Sequence, residues 1–238
     1  MVVALLTAAG TGTRMGQDIT KQFMHVDNKP IIIHTMEAFQ RHPAVDAINV
    51  VTLPSWTEVL KAYAKQFNIS KLRWVIPGGA TGQESIRNGL FAMEQELSED
   101  DVVIIHDGNR AMVSGEIISN SLATFREHGS AIASIPCVEA VFRSMDDGIS
   151  SDISVPREQL FRTQTPHTYT YGKLLWAHRE AAKRKITNTA ATCTLMQALG
   201  ERIYFSKGSE ENLKITTIDD LMIFKALLHT KKDDWIKM

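Results

Sequence analysis

Cysteine is nearly absent: the 238 residues include only Cys137 and Cys193. Two cysteines without metal spacing exclude a zinc cluster and a disulfide framework, and leave two buried thiols as the expectation. Long apolar runs are missing as well. The first one covers only Val2 to Leu6, far short of the ~20 residues of a membrane span, and no basic leader or cleavage-type segment accompanies it. A cytoplasmic protein with no membrane contact is therefore expected. Charge of either sign is not in excess, with 26 Lys and Arg against 27 Asp and Glu. That balance gives no reason to expect nucleic-acid partners, so any anion binding must be local. There is no low-complexity linker and no internal repeat, which predicts one domain over residues 1–238.

The chain opens on Val2-Val-Ala-Leu-Leu-Thr-Ala-Ala-Gly-Thr-Gly-Thr-Arg-Met-Gly16, followed by Lys21-Gln-Phe23. A short apolar run that ends in a glycine-rich, basic loop reads as a buried strand whose carboxyl end opens into a phosphate-binding turn. Gly10, Gly12 and Gly16 let backbone N–H groups approach an anion, and Arg14 and Lys21 add charge. The loop fits neither common nucleotide motif. There is no G-x-x-x-x-G-K-[ST], and Arg14-Met15 stands where a dinucleotide fingerprint needs its third glycine. An ordinary strand-to-loop turn with surface cations is the plainer alternative.

Further on, strand-like and helix-like stretches alternate. Helical periodicity covers Ile31 to Gln40, Trp56 to Phe67, Gln83 to Glu96 and Glu116 to His128; apolar β-compatible runs cover Ala47 to Leu53, Leu72 to Ile76, Asp101 to His106 and Ala131 to Pro136. This rhythm predicts an α/β protein with a mostly parallel, twisted sheet and helices on both faces. From 137 to 163 the rhythm breaks around Asp146-Asp147-Gly148 and Val155-Pro156, which predicts a hairpin-like β-arm. Helices near Tyr171 to Lys185 and Thr189 to Leu199, a strand near Arg202 to Ser206 and a helix from Ile218 to His229 complete the chain. The basic pair Lys231-Lys232 reads as a solvated tail. Asp107 follows an apolar strand directly, which puts a carboxylate at the ligand-facing end of the sheet, as hard oxygen chemistry suited to Mg²⁺ or as the cap of the next helix. His25, His34 and His106 have no metal spacing and read as structural.

The opening A-A-G-T-G-T-R-M-G with K-Q-F resembles the nucleotidyltransferases that activate phosphorylated polyols with CTP. Two branches share the pattern: the 2-C-methyl-D-erythritol 4-phosphate cytidylyltransferases of isoprenoid synthesis and the ribitol-5-phosphate cytidylyltransferases of teichoic-acid and capsule synthesis. The similarity continues through Asp27 to Thr35, Ile105-His-Asp-Gly-Asn-Arg110, Gln164-Thr-Pro166 and Asn212-Leu-Lys-Ile-Thr216. The resemblance implies a Rossmann-like nucleotidyltransferase that transfers CMP from CTP to a polyol phosphate with Mg²⁺ and releases pyrophosphate. It also implies a homodimer in which the 137–163 arm embraces the second subunit; a surface hairpin without a partner is the alternative.

By the same resemblance Arg14, Lys21 and Lys214 are catalytic cations. Ala8, Ala9, Gly10, Thr11, Gly12, Gly79 and Ser85 contact the nucleotide. Asp107 holds the metal, with Glu211 as a possible second ligand. Arg110 and Arg157 bind the acceptor, Arg157 from the arm, where a simple salt bridge is the other reading. The chain departs from the family pattern at Ala80 and Gly82, where an aspartate and an arginine are usual beside the base. It departs again at Ala140, where a threonine meets the acceptor, and at Asn188, which replaces an acid. The losses concern recognition; the triphosphate residues remain. Two other readings stay open: a nucleotidyltransferase for another base or sugar phosphate, and a nucleotide-binding protein that has lost catalysis.

Overall fold

The structure is a computed structural model that describes residues 1–10 and 20–230. Thr11, Gly12 and Arg14 of the opening loop, and Lys231 and Lys232 of the tail, lie outside the described residues.

Strand β1, Val2–Ala8, is followed by a tight pair, β2 (His25–Val26) and β3 (Lys29–Pro30), whose turn residues Asp27 and Asn28 both take positive φ. Then come α1 (Ile31–Arg41), β4 (Ala47–Thr52), α2 (Thr57–Gln66), β5 (Leu72–Pro77), α3 (Gly82–Phe91), β6 (Val102–Asp107), α4 (Gly115–His128) and β7 (Ser130–Pro136). Strands β8 (Val141–Arg143) and β9 (Ile153–Val155) form a separate antiparallel hairpin. The chain continues through β10 (Phe161–Thr170), α5 (Tyr171–Arg184), α6 (Thr192–Ala198), β11 (Phe205–Lys207) and α7 (Ile218–Thr230).

The main sheet has the order β11-β7-β10-β6-β1-β4-β5. All neighbours pair parallel except β10, which is antiparallel to both β6 and β7. Strand β1 shows why the centre reads as continuous apolar sequence. Val3 and Leu5 enter the core under α3, α5 and α6, while Ala4, Leu6 and Ala8 enter the core under α1, α2 and α4. Both faces of a central parallel strand are covered, so alternation disappears. Helix ends follow local chemistry: Thr81, Ser114 and Thr170 each accept a backbone N–H at the start of α3, α4 and α5, and Gly129 ends α4 with a left-handed conformation.

The mostly parallel sheet with helices on both faces is as the sequence predicted, and the differences are local. Strand β10 was not expected: its Phe-Arg-Thr-Gln-Thr-Pro-His-Thr-Tyr-Thr sequence is polar, yet its residues 164–169 are buried between two strands. Helix α3 stops at Phe91 and short i→i+3 turns carry the chain to Leu97. Helix α6 begins at Thr192, because Thr189 is drawn to the Gln83 side chain instead. Cys193 is buried as expected, but Cys137 is partly exposed where the chain leaves β7, so the second thiol is no core residue.

Candidate active site

The winding of the sheet decides where a ligand can enter. From β1 the chain proceeds to β4 and β5 on one side and then returns to place β6 on the other, so the order reverses between β1 and β6. Ligand crevices in open α/β sheets form outside the carboxyl ends of strands at such a switch point. Thr7 and Asp107 are register partners there. Both line a cavity of about 700 Å³ that also takes in Gly10, Lys21, Arg110 and Lys214.

Asp107 is the centre of the charged part. Its Oδ1 accepts from Lys214 Nζ at 2.9 Å and its Oδ2 from Arg110 Nε at 2.9 Å. Arg110 also donates Nη1 to the Asn212 carbonyl at 2.7 Å. Burial alone raises the Asp107 carboxyl, but the charges of Lys214 and Arg110 outweigh it and hold the group well below the usual carboxylate range. It is therefore ionised throughout the physiological range.

The backbone beneath this triad is fixed by buried polar groups. The Asp107 N–H donates to Thr165 Oγ1 at 3.0 Å, and that hydroxyl lies 3.0 Å from His106 Nδ1. His106 Nε2 is 3.3 Å from the Arg110 carbonyl, which can only accept. Burial pushes His106 down to about 3, so the ring is neutral. Nε2 then carries the proton and the bare Nδ1 accepts from Thr165. His106 thus ties the Arg110 backbone to β10, a structural role as expected of it. Asn109 Nδ2 donates to the Ile215 carbonyl, and buried Asn212 donates to the Thr165 carbonyl at 2.8 Å. These bonds lay the 209–217 segment across the end of β6 and so place Lys214. At Gly108 an added Cβ would lie 2.9 Å from the Thr7 carbonyl and 2.7 Å from Ile32 Cδ1, so the close approach of β6 to β1 requires glycine.

The glycine-rich opening meets a second loop. A Cβ on Gly78 would come within 2.3 Å of Ala9 Cβ, so the loop after β5 packs directly on the end of β1. Gln22 Nε2 donates to the Gly10 carbonyl at 3.2 Å from the single turn that carries Lys21. Ser85 lines the cavity, but its hydroxyl donates to the Thr81 carbonyl at 2.9 Å and accepts from the Gly79 N–H at 3.0 Å. Its proton is used in shaping the loop. Glu84 holds the same loop by accepting from the Ala80 N–H at 2.9 Å.

Of the residues singled out from sequence, the cavity brings together Ala9, Gly10, Lys21, Gly79, Ser85, Asp107, Arg110 and Lys214. Ala8 is buried in the core beneath α1, and Glu211 is exposed on the 209–217 segment outside the cavity lining. Arg157 is exposed at the base of the hairpin, where Nη1 donates to the Val138 carbonyl at 3.0 Å and Nε lies 3.5 Å from Glu158. A further wall, from α3, α5 and α6, was not foreseen. It contributes Gln83, His178, Thr189, Thr192 and Thr194, all of which fall in stretches read from sequence as helices.

Among the described residues no group of three carboxylate, imidazole or thiol side chains could cage a metal. Asp107 is the one carboxylate among the described residues of the cavity lining. Mg²⁺ commonly takes one or two carboxylates and completes its shell with phosphate oxygens and water. The donor set fits a magnesium ion that arrives with a triphosphate, and does not fit one caged by protein alone.

The family described as 2-C-methyl-D-erythritol 4-phosphate cytidylyltransferase (IspD) matches residues 2–230. A ribitol-5-phosphate cytidylyltransferase of Lacticaseibacillus paracasei is 40% identical over 234 residues, 98% of this chain and 100% of that protein. A 2-C-methyl-D-erythritol 4-phosphate cytidylyltransferase of Geobacter metallireducens is 36% identical over 234 residues, 97% of this chain and 98% of that one. Among solved structures, the 2-C-methyl-D-erythritol 4-phosphate cytidylyltransferase of Thermus thermophilus matches with a TM-score of 0.76 at 26% identity, covering 95% of this chain and 98% of that chain.

Proposed function

The chain belongs to the 2-C-methyl-D-erythritol 4-phosphate cytidylyltransferase family, and from that premise we propose that it transfers CMP from CTP to ribitol 5-phosphate and releases pyrophosphate. It is a nucleotidyltransferase of the cytidylyltransferase class acting on a phosphorylated polyol. The observation that carries the mechanism is the Lys214–Asp107–Arg110 triad at the switch point, in one cavity with Gly10 and Lys21. The choice of ribitol over methylerythritol phosphate is supported by the higher identity to the ribitol enzyme, 40% against 36%.

In this reading a phosphate oxygen of the acceptor attacks the α-phosphorus of CTP in line, and the bond to the pyrophosphate oxygen breaks. Such a transfer needs alignment and positive charge more than covalent help. Lys21 and Lys214 supply charge from two sides of the cavity, joined by Arg14 of the opening loop. Arg110, held in place by Asp107 and the Asn212 carbonyl, presents its guanidinium to the acceptor phosphate. Asp107 with the triphosphate oxygens would hold Mg²⁺, whose charge offsets that of the phosphates. Lys214, paired with Asp107 at 2.9 Å and half exposed to the cavity, would hold its ammonium within reach of the nucleotide phosphates.

The β8–β9 hairpin exposes Phe142, Met145, Ile149 and Ile153, an apolar set that a second copy of the chain would cover. We place Arg157 in the partner's acceptor site through that embrace. Among the described residues no helix is long and apolar enough to cross a membrane, and we place the reaction in the cytoplasm. Pyrophosphate release by the purified protein, with Mg²⁺, each ribonucleoside triphosphate, and ribitol 5-phosphate or methylerythritol 4-phosphate as acceptor, tests the reading. Turnover with CTP and ribitol 5-phosphate is expected; preference for another triphosphate or acceptor would overturn that part of it.

A further inference from the structure

The cavity has two unlike linings. Its charged side chains, Lys21, Asp107, Arg110 and Lys214, come from the sheet ends and the segments beside them. The wall built by α3, α5 and α6 contributes polar but no charged side chains among the described residues. Most polar groups of that wall are already occupied. Gln83 donates to the Ile186 carbonyl and accepts from the Thr189 N–H and hydroxyl, all within 3.0 Å. Thr194 accepts from the Ala191 N–H and donates to the Ala191 carbonyl, and Ser85 is held within its loop.

Two groups are different. His178 on α5 and Thr192 at the start of α6 are each only 3% exposed, yet His178 Nε2 and Thr192 Oγ1 have no hydrogen-bond partner among the described residues. Both side chains line the cavity. Buried polar atoms are normally paired, and two unpaired ones on one wall of one cavity call for something that enters it. Burial, reinforced by the charge of Arg87, pushes His178 down to about 4, so the imidazole is neutral at physiological pH. The wall therefore presents no charged side chain among the described residues and is suited to a neutral donor and acceptor.

We propose that His178 and Thr192 form a recognition pair that hydrogen-bonds an uncharged group of a substrate, a hydroxyl of the sugar or polyol or an edge of the base. The pair supplies selectivity on the side of the site where Ala80 and Gly82 have replaced the usual polar side chains. This rests on the cytidylyltransferase reading for the identity of the two substrates.

The test uses Thr192→Val, Thr192→Ser and His178→Leu, with thermal melting and calorimetric titration of CTP and of ribitol 5-phosphate separately. Replacing an unpaired buried polar group by an apolar one of similar shape is neutral or stabilising. Thr192→Val and His178→Leu should therefore melt at or above the wild-type temperature. Each should weaken one of the two substrates by about 2- to 13-fold, the effect of one lost neutral hydrogen bond, and Thr192→Ser should retain binding. Weakening in the CTP arm assigns the pair to the nucleotide, and weakening in the ribitol 5-phosphate arm assigns it to the acceptor. Lower melting temperatures with unchanged affinities would mean a structural role and overturn the proposal. Unchanged affinities at unchanged stability would mean that only water meets the pair, and overturn it equally. A wild type that binds neither substrate overturns both the pair and the reading it rests on. Shifted affinities in a protein that releases no pyrophosphate would fail the reaction and leave the pair standing.

Discussion

Replacing Asp107 by Asn keeps the side-chain shape and removes the negative charge between two cations. Arg110 is 11% exposed and Asp107 17%, so their pair is largely withdrawn from water. Removing one partner of a fully buried pair costs about 3–5 kcal/mol. Here Arg110 keeps the Asn212 carbonyl, which lowers that figure. Lys214 is 44% exposed and solvent-screened, so its share is at most about 1 kcal/mol. The expected loss at neutral pH is about 2–4 kcal/mol, or roughly 4–16 °C in melting temperature for a chain of this size. The pH dependence gives a sharper check. Because the folded state depresses the Asp107 pKa, its contribution is complete above the unfolded value near 4 and is lost as pH falls below it towards the folded value. Each pH unit below 4 removes about 1.4 kcal/mol. The stability gap between wild type and Asp107→Asn, from denaturant melts, should thus narrow by about 1 kcal/mol between pH 6 and pH 3. Other carboxylates are common to both proteins and cancel in the difference. A gap that stays constant over that range, or a variant as stable as wild type at pH 6, would refute the account of the triad.

Lys214→Ala should lower kcat for pyrophosphate release by about 10²- to 10³-fold, as the loss of a transition-state charge partner does, with little change in melting temperature. Equal loss of stability and activity would count against a charge role. Thr165→Val leaves the Asp107 N–H and His106 Nδ1 unpaired and should cost about 1–3 kcal/mol in a denaturant melt, whereas Thr165→Ser should stay within about 1 kcal/mol of wild type. Phe142→Asp with Ile149→Asp should convert a sedimenting dimer into a monomer without unfolding the sheet; a wild type that sediments as a monomer would remove the embracing arm.

Periodicity and turn chemistry were enough for most of the fold, because Val2–Ala8 and Val102–Asp107 are buried on both faces and read as apolar runs. They failed at Phe161–Thr170, whose polar residues mostly find partners on neighbouring elements: Thr168 meets Ser121 of α4, Thr165 meets His106 of β6, and Gln164 meets Ser209 of the 209–217 segment. No local pattern distinguishes such a strand from a loop. The site divides in the same way. The place of Asp107 in the cavity was legible because it ends an apolar strand, and that of Lys21 and Lys214 through the resemblance. Asn109, Asn212 and Gln22 were not singled out, since they act by hydrogen bonds to backbone groups that only the fold brings near.

The same division separates the reaction from its substrates. The cations that line the cavity near the ends of β1 and β6 take their positions from sheet topology, and in the proposed reaction they would meet phosphates, a chemistry common to every nucleotidyl transfer. In the recognition proposed above, selection between acceptors would rest on uncharged contacts, whose geometry depends on how α3, α5 and α6 pack. On that wall Gln83 bridges α3 to the Ile186–Thr189 connection, so substitutions there move a surface without changing any charge. On the proposed reaction, the polyol could change while Lys21, Asp107 and Lys214 stay, and Ala80 and Gly82 line the cavity on that uncharged side.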